Sequence, residues 1–73
     1  MGKFRRVGAH NIITESGELR QGVVELIDDT VVNYYTFTDE LPMTEWLGGT
    51  IVLLKDEEGI LHAMHEGKKI ESR

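Results

Sequence analysis

The sequence predicts a small all-β domain, an antiparallel β-sandwich or partly open barrel of five to six strands with one short helical turn. Short runs rich in β-branched and aromatic residues recur along the chain, and Gly, Asp and Ser separate them. Apolar spacing of the helical kind occurs only at residues 42–47. Strands do not alternate with long helical segments, so the chain lacks the βαβ pattern of parallel α/β folds.

The length of 73 residues suits one domain over residues 1–73. A chain of this size buries only ~60% of its unfolded surface, so we expect modest stability. The sequence has no cysteine, which excludes a disulfide and fits a reducing compartment. No stretch reaches the ~18 apolar residues of a membrane span. No apolar signal segment follows the basic start, so we expect a cytoplasmic protein without membrane contact.

The formal net charge of −5 is unevenly spread along the chain. Residues 1–22 carry four basic and two acidic side chains, residues 23–59 carry one and nine, and residues 60–73 carry three and two. Nucleic-acid binding requires a dense basic surface that displaces counterions, so we expect no nucleic-acid partner. We interpret the acidic middle as a solvated surface that keeps the protein in solution.

The chain begins with a segment that predicts a strand and a tight turn. Residues 4–14 hold apolar side chains at irregular spacing, and Gly8 among them indicates a β-bulge. Residues 15–18 predict a turn because Gly17 can take the backbone conformation that a tight hairpin requires.

A second hairpin is predicted directly afterwards. Residues 23–27 are dense in β-branched side chains, and residues 30–37 form the run of highest β-propensity in the chain. Asp28-Asp29 lies between them, and its short side chains tolerate the left-handed region that a two-residue turn uses.

Residues 42–47 predict the single helical turn. Pro42 suits a first helical position because its missing N–H would be unpaired there. Met43, Trp46 and Leu47 lie at i, i+3 and i+4, and two glycines then end the helix. We expect Trp46, the only tryptophan, to pack in the core; the alternative is an exposed anchor for a partner.

The last part of the chain predicts another hairpin. Residues 51–54 are four consecutive apolar residues, which suit a strand buried on both faces. A charged loop at residues 55–59 ends in a glycine, and residues 60–64 return as the partner strand. The tail at residues 66–73 is either frayed or a short edge strand whose lysines deter further pairing.

No catalytic constellation is present in the sequence. Ser16 lies in a turn and Ser72 in the tail, neither has a histidine and an acid at suggestive spacing, and the acidic pairs fall in loops. His62 and His65 are three apart in a strand and so point to opposite faces, while His10 is distant in sequence. These three histidines are the candidate metal ligands, but without cysteine or a close histidine pair we expect neither a metal nor another cofactor.

A longer pattern resembles a known family. Residues 9–14, a glycine three positions later, residues 22–26 and residues 28–32 resemble the opening hairpin of amidohydrolase-superfamily enzymes, in which "I-T-x-x-G" precedes "G-x-V-x-I-x-D-G-x-I". Residues 46–53 are similar to that family's later strand, which leads to the catalytic barrel. The resemblance covers about residues 5–53 and implies the small β-sandwich that flanks the barrel.

The sequence departs from that family where its chemistry begins. Residues 54–58 are Leu-Lys-Asp-Glu-Glu, where the family has proline, glycine and a metal-binding H-x-H. The hydrolase activity therefore does not carry over, and the chain resembles a stand-alone, non-catalytic relative of the sandwich.

Three hypotheses of function follow. The first is a non-enzymatic domain that binds another protein or itself through strand edges at residues 30–37 or 50–64. The second is a small-ligand or metal-binding module that uses Trp46, Tyr34, Tyr35 and the histidines around an open barrel mouth. The third is a vestigial accessory domain that still partners a separate barrel subunit.

Overall fold

In the part of the chain that the structure describes, seven strands join a single sheet. The computed structural model describes residues 2–38 and 44–70. Its strands are β1 (Phe4–Thr14), β2 (Gly17–Ile27), β3 (Thr30–Thr36), β4 (Glu45–Trp46), β5 (Thr50–Lys55), β6 (Leu61–His65) and β7 (Lys68–Lys69). The all-β class is therefore confirmed. Within the two described ranges no helix has the length and hydrophobicity needed to cross a membrane.

The sheet has the order β3-β2-β1-β5-β6-β7, and β4 pairs with β1 beside β5. The three predicted hairpins are confirmed, since β1–β2, β2–β3 and β5–β6 all pair antiparallel. The expectation of a wholly antiparallel sheet is wrong, because β4 and β5 run parallel to β1. After β3 the chain returns to the sheet on the side of β1 opposite β2, and β4 and β5 run in the same direction as β1. Parallel neighbours cannot be joined by a tight turn, so the connection from β3 is a crossover.

The predicted helical turn at residues 42–47 is wrong in the part that the structure describes. Glu45–Trp46 is a strand paired with Val7 and Gly8 of β1, and the Leu47 amide donates to the Gly8 carbonyl at 2.8 Å. A single turn of helix is costly to nucleate, so hydrogen bonds to an existing strand override the i, i+3, i+4 spacing. Pro42 and Met43 lie outside the described residues.

One face of the sheet carries the hydrophobic core. Its buried members come from five strands and the residue after β7: Val7, Ala9, Ile12, Val24, Leu26, Val31, Ile51, Leu53, Ala63 and Ile70. Strand β5 contributes only alternate residues, since Leu54 is 53% exposed and Val52 is half-buried. The expectation that residues 51–54 are buried on both faces is therefore wrong, because core-forming residues cover only one side of this sheet.

The sheet curls so that its two ends approach each other. The ring nitrogen Nδ1 of His62 in β6 lies 2.9 Å from the carbonyl oxygen of Asp29, in the turn between β2 and β3. The ammonium of Lys69 in β7 lies 3.6 Å from the Asp29 carboxylate. No backbone ladder joins β3 to β6 in the described part of the chain, so the curled sheet stays open there.

The long β1–β2 ladder is interrupted at one position. Ala9 pairs with Gly22 and Asn11 with Arg20, but no pair forms between them, and Gln21 has φ of 54°. The core-facing residues of β1 accordingly change from odd to even numbers after Ala9. The bulge predicted near Gly8 is wrong, since the register runs through Gly8 without a shift.

Residues 66–70 adopt the edge-strand conformation, one of the two expected for the tail at residues 66–73, and residues 71–73 lie outside the described residues. The short strand β7 pairs with Met64 and His65, and the Ile70 amide donates to the Ala63 carbonyl at 2.8 Å. Ile70 is buried in the core. Residues 66–70 therefore include the edge strand β7 and pack against β6.

Candidate functional site

The candidate site is the face of β1, β2 and β3 opposite the core, which we call the outer face. The register places two rows of side chains there. One row holds Arg6, Glu25 and Asn33, and the next holds Gly8, Val23 and Tyr35. Val23 is fully buried yet does not belong to the core cluster, so the outer face has its own cover.

Trp46 supplies much of that cover. Its indole lies over Gly8, where an added Cβ would sit 3.0 Å from the ring atom Cε3. His10 meets the indole edge to face with ring centroids 5.0 Å apart, and Phe37 does so at 6.2 Å. Trp46 is nevertheless 49% exposed, so the expectation of a core tryptophan is wrong. Strand β4 lies in the sheet beside β1, and its pairing of Trp46 with Gly8 puts the indole on the outer face.

The other end of the outer face is also apolar and exposed. Phe4 pairs with Ile27 across β1 and β2, and the two are 55% and 42% exposed. The Arg6 guanidinium lies 5.3 Å from the centre of the Phe4 ring, a cation–π arrangement. Phe4 and Gly8 are four residues apart on β1, so the face spans about 13 Å between its two exposed ends.

A charged network occupies the middle of the outer face. The Arg6 guanidinium donates from Nε to Glu25 Oε2 at 2.9 Å, and the Tyr35 hydroxyl donates to the same oxygen at 2.8 Å. The hydrogen bond from Tyr35, aided by Arg6, holds the pKa of the Glu25 carboxyl below its ordinary value. The same bond raises the pKa of the Tyr35 phenol. Glu25 is thus kept ionised and paired within the chain.

Strand β4 is attached to β1 by a second ion pair. The Arg5 guanidinium donates from Nε and Nη2 to the two carboxylate oxygens of Glu45, each at 2.9 Å. This two-bond geometry lowers the pKa of the Glu45 carboxyl. The pair fixes the position of the residue next to Trp46.

Two concave regions lie near the predicted binding residues, and they are separate. An open groove of about 550 Å³ is lined by His10, Asn11, Arg20, Gln21 and Trp46. A cavity of about 130 Å³ is lined by Thr14, Glu15, Ser16, Tyr34, Leu53, Lys55 and Leu61. The structure therefore brings Trp46 and His10 together, while Tyr34 lies in the smaller cavity and Tyr35 in the charged network.

The three candidate metal ligands are held by different partners. His10 contacts Trp46, and the Nε2 atom of His65 lies 3.0 Å from the Gly48 carbonyl oxygen. His62 Nε2 lies 2.9 Å from Asp56 Oδ2, and its other ring nitrogen faces the Asp29 carbonyl. Among the described residues no group of three His, Asp or Glu side chains could hold a metal ion.

The contacts of His62 affect two ionisation equilibria. The hydrogen bond with Asp56, followed by that with the Asp29 carbonyl, raises the pKa of the imidazole. The bond with His62, together with the amides of Ile60 and Glu58, lowers the pKa of the Asp56 carboxyl. The pair is thereby favoured in its charged form.

Sequence reasoning missed Phe4, Arg6 and Glu25. One signal was present in the sequence, because Glu25 is the only charged residue inside the apolar run at residues 23–27. A charge within such a run requires a partner or an exposed face. Its partners lie on β1 and β3, which local sequence does not identify.

Comparisons with known proteins place the fold. No protein-family model matches the chain, and no curated protein matches it. Among solved structures the chain is similar to a mutant N-acetyl-D-glucosamine-6-phosphate deacetylase from Mycobacterium smegmatis in complex with N-acetyl-D-glucosamine-6-phosphate, with a TM-score of 0.56 and 22% identity. The match covers 74% of this chain but 14% of the deacetylase, so the chain spans a small part of that protein's length. The deacetylase belongs to the amidohydrolase superfamily, so the partial resemblance read from the sequence is confirmed at the level of the fold.

Proposed function

We propose that this chain is a non-catalytic β domain that works by protein–protein contact through the outer face. The observation that carries the proposal is the half-exposed Trp46, on the same face as the exposed Phe4 and Ile27. Large apolar side chains grouped on one face of a soluble domain are typical of interaction surfaces. Tryptophan is also among the residues that most often dominate binding energy.

The charged middle of the outer face favours such docking. Glu25 already accepts hydrogen bonds from Arg6 and Tyr35, so a partner that covers them need not supply a compensating charge. Trp46 is held by Gly8, His10 and Phe37 before any partner arrives. A side chain fixed in advance loses little conformational entropy on binding, which raises affinity.

The strand edges proposed from the sequence are less open than the outer face. Strand β5 lies between β1 and β6, so the hairpin at residues 50–64 presents no free edge on its β5 side. Strand β3 is an edge strand, but a register shift interrupts its pairing with β2 between Glu25 and Leu26. The Asn33 side chain also accepts the Tyr34 amide at 2.9 Å, which occupies a donor that an added strand would use. These features favour docking on the face over strand addition.

Sedimentation velocity over a range of protein concentrations tests self-association by this face. Trp46→Ala is the test variant, and Leu54→Ala is the matched control because Leu54 is 53% exposed on β5. If the chain forms a dimer, we expect Trp46→Ala to weaken it about 30-fold, as for an anchor worth ~2 kcal/mol. The control should leave the dimer unchanged.

If the chain is monomeric, the same two variants are tested for capture of a partner from cell extract. A protein retained by the wild-type chain and by Leu54→Ala, but lost with Trp46→Ala, supports the proposal. The proposal is rejected if Trp46→Ala and Leu54→Ala associate equally well in both experiments, or if the chain associates with nothing.

The similarity to part of a deacetylase favours one class of partner. The chain matches 14% of that protein, so a catalytic barrel is a candidate for the surface that covers the outer face. In that case the domain is an accessory one that carries no catalytic group of its own. Co-expression with such a barrel should give a 1:1 complex that Trp46→Ala disrupts.

A small ligand in the groove beside Trp46 is the second candidate function. The groove volume of about 550 Å³ falls within the range of ligand sites. Its lining combines the rings of Trp46 and His10 with the polar side chains of Asn11, Arg20 and Gln21. Ligand-induced thermal stabilisation that is lost in Arg20→Ala but kept in Phe4→Ala would favour this candidate over protein docking. Arg20 lies in the groove, whereas Phe4 lies at the opposite end of the outer face.

A further inference from the structure

His62 joins three segments that are distant in sequence. It lies in β6, its Nδ1 atom is 2.9 Å from the Asp29 carbonyl oxygen, and its Nε2 atom is 2.9 Å from Asp56 Oδ2. Asp29 is in the turn between β2 and β3, and Asp56 is in the loop between β5 and β6. The imidazole therefore lies where the two ends of the curled sheet approach each other. Its side chain is only 15% exposed.

The chemistry of the two partners determines which form of the ring fits. A carbonyl oxygen and a carboxylate oxygen can only accept hydrogen bonds. A neutral imidazole has one N–H, so it can donate to one of these oxygens and must turn a lone pair toward the other. The imidazolium has two N–H groups and satisfies both contacts at the observed distances. Of the two forms, only the protonated ring donates a hydrogen bond to both oxygens.

We propose that His62 is a proton-dependent clasp, which in its protonated form ties the β2–β3 turn to β6 and to the β5–β6 loop. Loss of one proton removes one of the two bonds and leaves a lone pair facing an oxygen. The ends of the curled sheet are then held less tightly. The device belongs to the fold and does not depend on the function proposed for the outer face.

The other charges around the ring come from three elements. The Asp56 carboxylate faces it from the β5–β6 loop, and Asp29 in the β2–β3 turn presents its carbonyl oxygen to the ring while its carboxylate pairs with Lys69. Lys69 in β7 opposes protonation, but its ammonium is 3.6 Å from the Asp29 carboxylate. The bond to Asp56 outweighs Lys69, so the pKa of His62 is raised.

The raised pKa gives the direction of the pH effect. The folded state holds the proton more tightly than the unfolded chain does, so the clasp contributes fully below the unfolded value of about 6.5. Its contribution is lost as the pH rises through the higher folded value. Alkaline conditions should therefore loosen the turn at residues 28–31.

Asp56→Asn is the discriminating variant because it replaces only the charge. Its Oδ1 atom can still accept the Glu58 and Ile60 amides, which lie at 2.8 and 3.0 Å in the wild type. Its side-chain NH₂ can donate to an unprotonated Nε2, so a neutral ring fits all its partners. The variant should fold and keep the clasp closed without a proton on Nε2.

Nitrogen-15 NMR of the histidine rings tests the proposal directly. In the wild type we expect both His62 nitrogens to carry protons at about pH 6, and the titration midpoint should move to lower pH in Asp56→Asn. Amide exchange at residues 28–31, compared between the two proteins at each pH, should show protection lost on alkalinisation only in the wild type. His65→Gln is the control, since a neutral ring can satisfy its single carbonyl contact.

Two results at His62 itself would overturn the proposal. One is a His62 ring that carries a single proton in the wild type at about pH 6. The other is a midpoint that Asp56→Asn leaves in place. A His65→Gln effect on residues 28–31 equal to that of raised pH would also count against a clasp centred on His62.

Discussion

Gly22 is the residue whose missing side chain matters most to the core. An ideal Cβ at this position would sit 2.3 Å from Cδ1 and 2.9 Å from Cγ1 of Ile12, and Ile12 is fully buried. Gly22 itself is buried and pairs with Ala9 on one side and Thr36 on the other. The space above its backbone therefore belongs to the isoleucine. A methyl group there cannot be accommodated unless Ile12 moves.

We expect Gly22→Ala to lower the free energy of unfolding by about 1–3 kcal/mol, because it overpacks the core. Ile12→Val removes the atom nearest to the added methyl and by itself should cost about 0.5–1.5 kcal/mol. The double variant should be more stable than the sum of the two losses predicts. Urea denaturation of all four proteins measures this coupling. Additive losses would mean that the two side chains do not compete for the same space.

At the scale of the strand pair, the interruption at Gln21 stores backbone strain. Gln21 has φ of 54°, a conformation that costs a non-glycine residue of the order of 1 kcal/mol or more. Its carbonyl oxygen accepts the Phe37 amide at 3.1 Å, which holds the kink in place. The interruption of the ladder falls between Ala9 and Asn11 of β1. It allows β1 to bury Val7 and Ala9 on one side of this point and Ile12 on the other side in the same core.

Glycine at this position should therefore reverse its usual effect. We expect Gln21→Gly to leave stability unchanged or raise it by up to about 1 kcal/mol, whereas Arg20→Gly next to it should lower stability by about 0.5–1 kcal/mol. Thermal unfolding followed by circular dichroism is sufficient, since 1 kcal/mol shifts the midpoint by about 4–8 °C in a domain of this size. Equal losses in both variants would show that Gln21 is not strained.

The elements that the sequence predicts correctly are those encoded by neighbouring residues. The turns at Gly17, Asp28-Asp29 and Gly59 each lie between β-rich runs, and each one produces an antiparallel hairpin. Strand β4 could not be predicted in this way, because its two residues are strands only through their pairing with Val7 and Gly8. The exposure of Trp46 follows from the same long-range contact.

The same distinction between local and long-range contacts applies to the residues of the candidate site. Trp46 was identified from its type, as the only tryptophan of the chain, but its location on the outer face depends on β4. The association of Arg6, Glu25 and Tyr35 depends on the register of three strands. The clasp at His62 depends on the curling of the whole sheet, which brings β6 to a turn 33 residues away. None of these contacts can be predicted from the spacing of residues that are close in sequence.

At the scale of the whole fold, three carboxylates among residues 2–38 and 44–70 favour the folded state in their ionised form. Hydrogen bonds from Tyr35, Arg5 and His62 lower the pKa values of Glu25, Glu45 and Asp56 respectively. The unfolded chain binds protons at these groups more readily than the folded one. Their contribution is therefore present above the ordinary carboxyl pKa values and is lost as the pH falls through the lower folded values.

We expect the free energy of unfolding to fall steadily below about pH 5 and Glu25→Gln to flatten this decline. The variant keeps an oxygen for Tyr35 but loses the charge that pairs with Arg6, so it should also cost about 1 kcal/mol at neutral pH. Glu57→Gln is the control, since Glu57 is exposed in the β5–β6 loop. Urea denaturation between about pH 3 and pH 7 measures both effects. If Glu25→Gln declined as steeply with acid as the wild type and the control, Glu25 would not be one of the groups that makes this fold sensitive to acid.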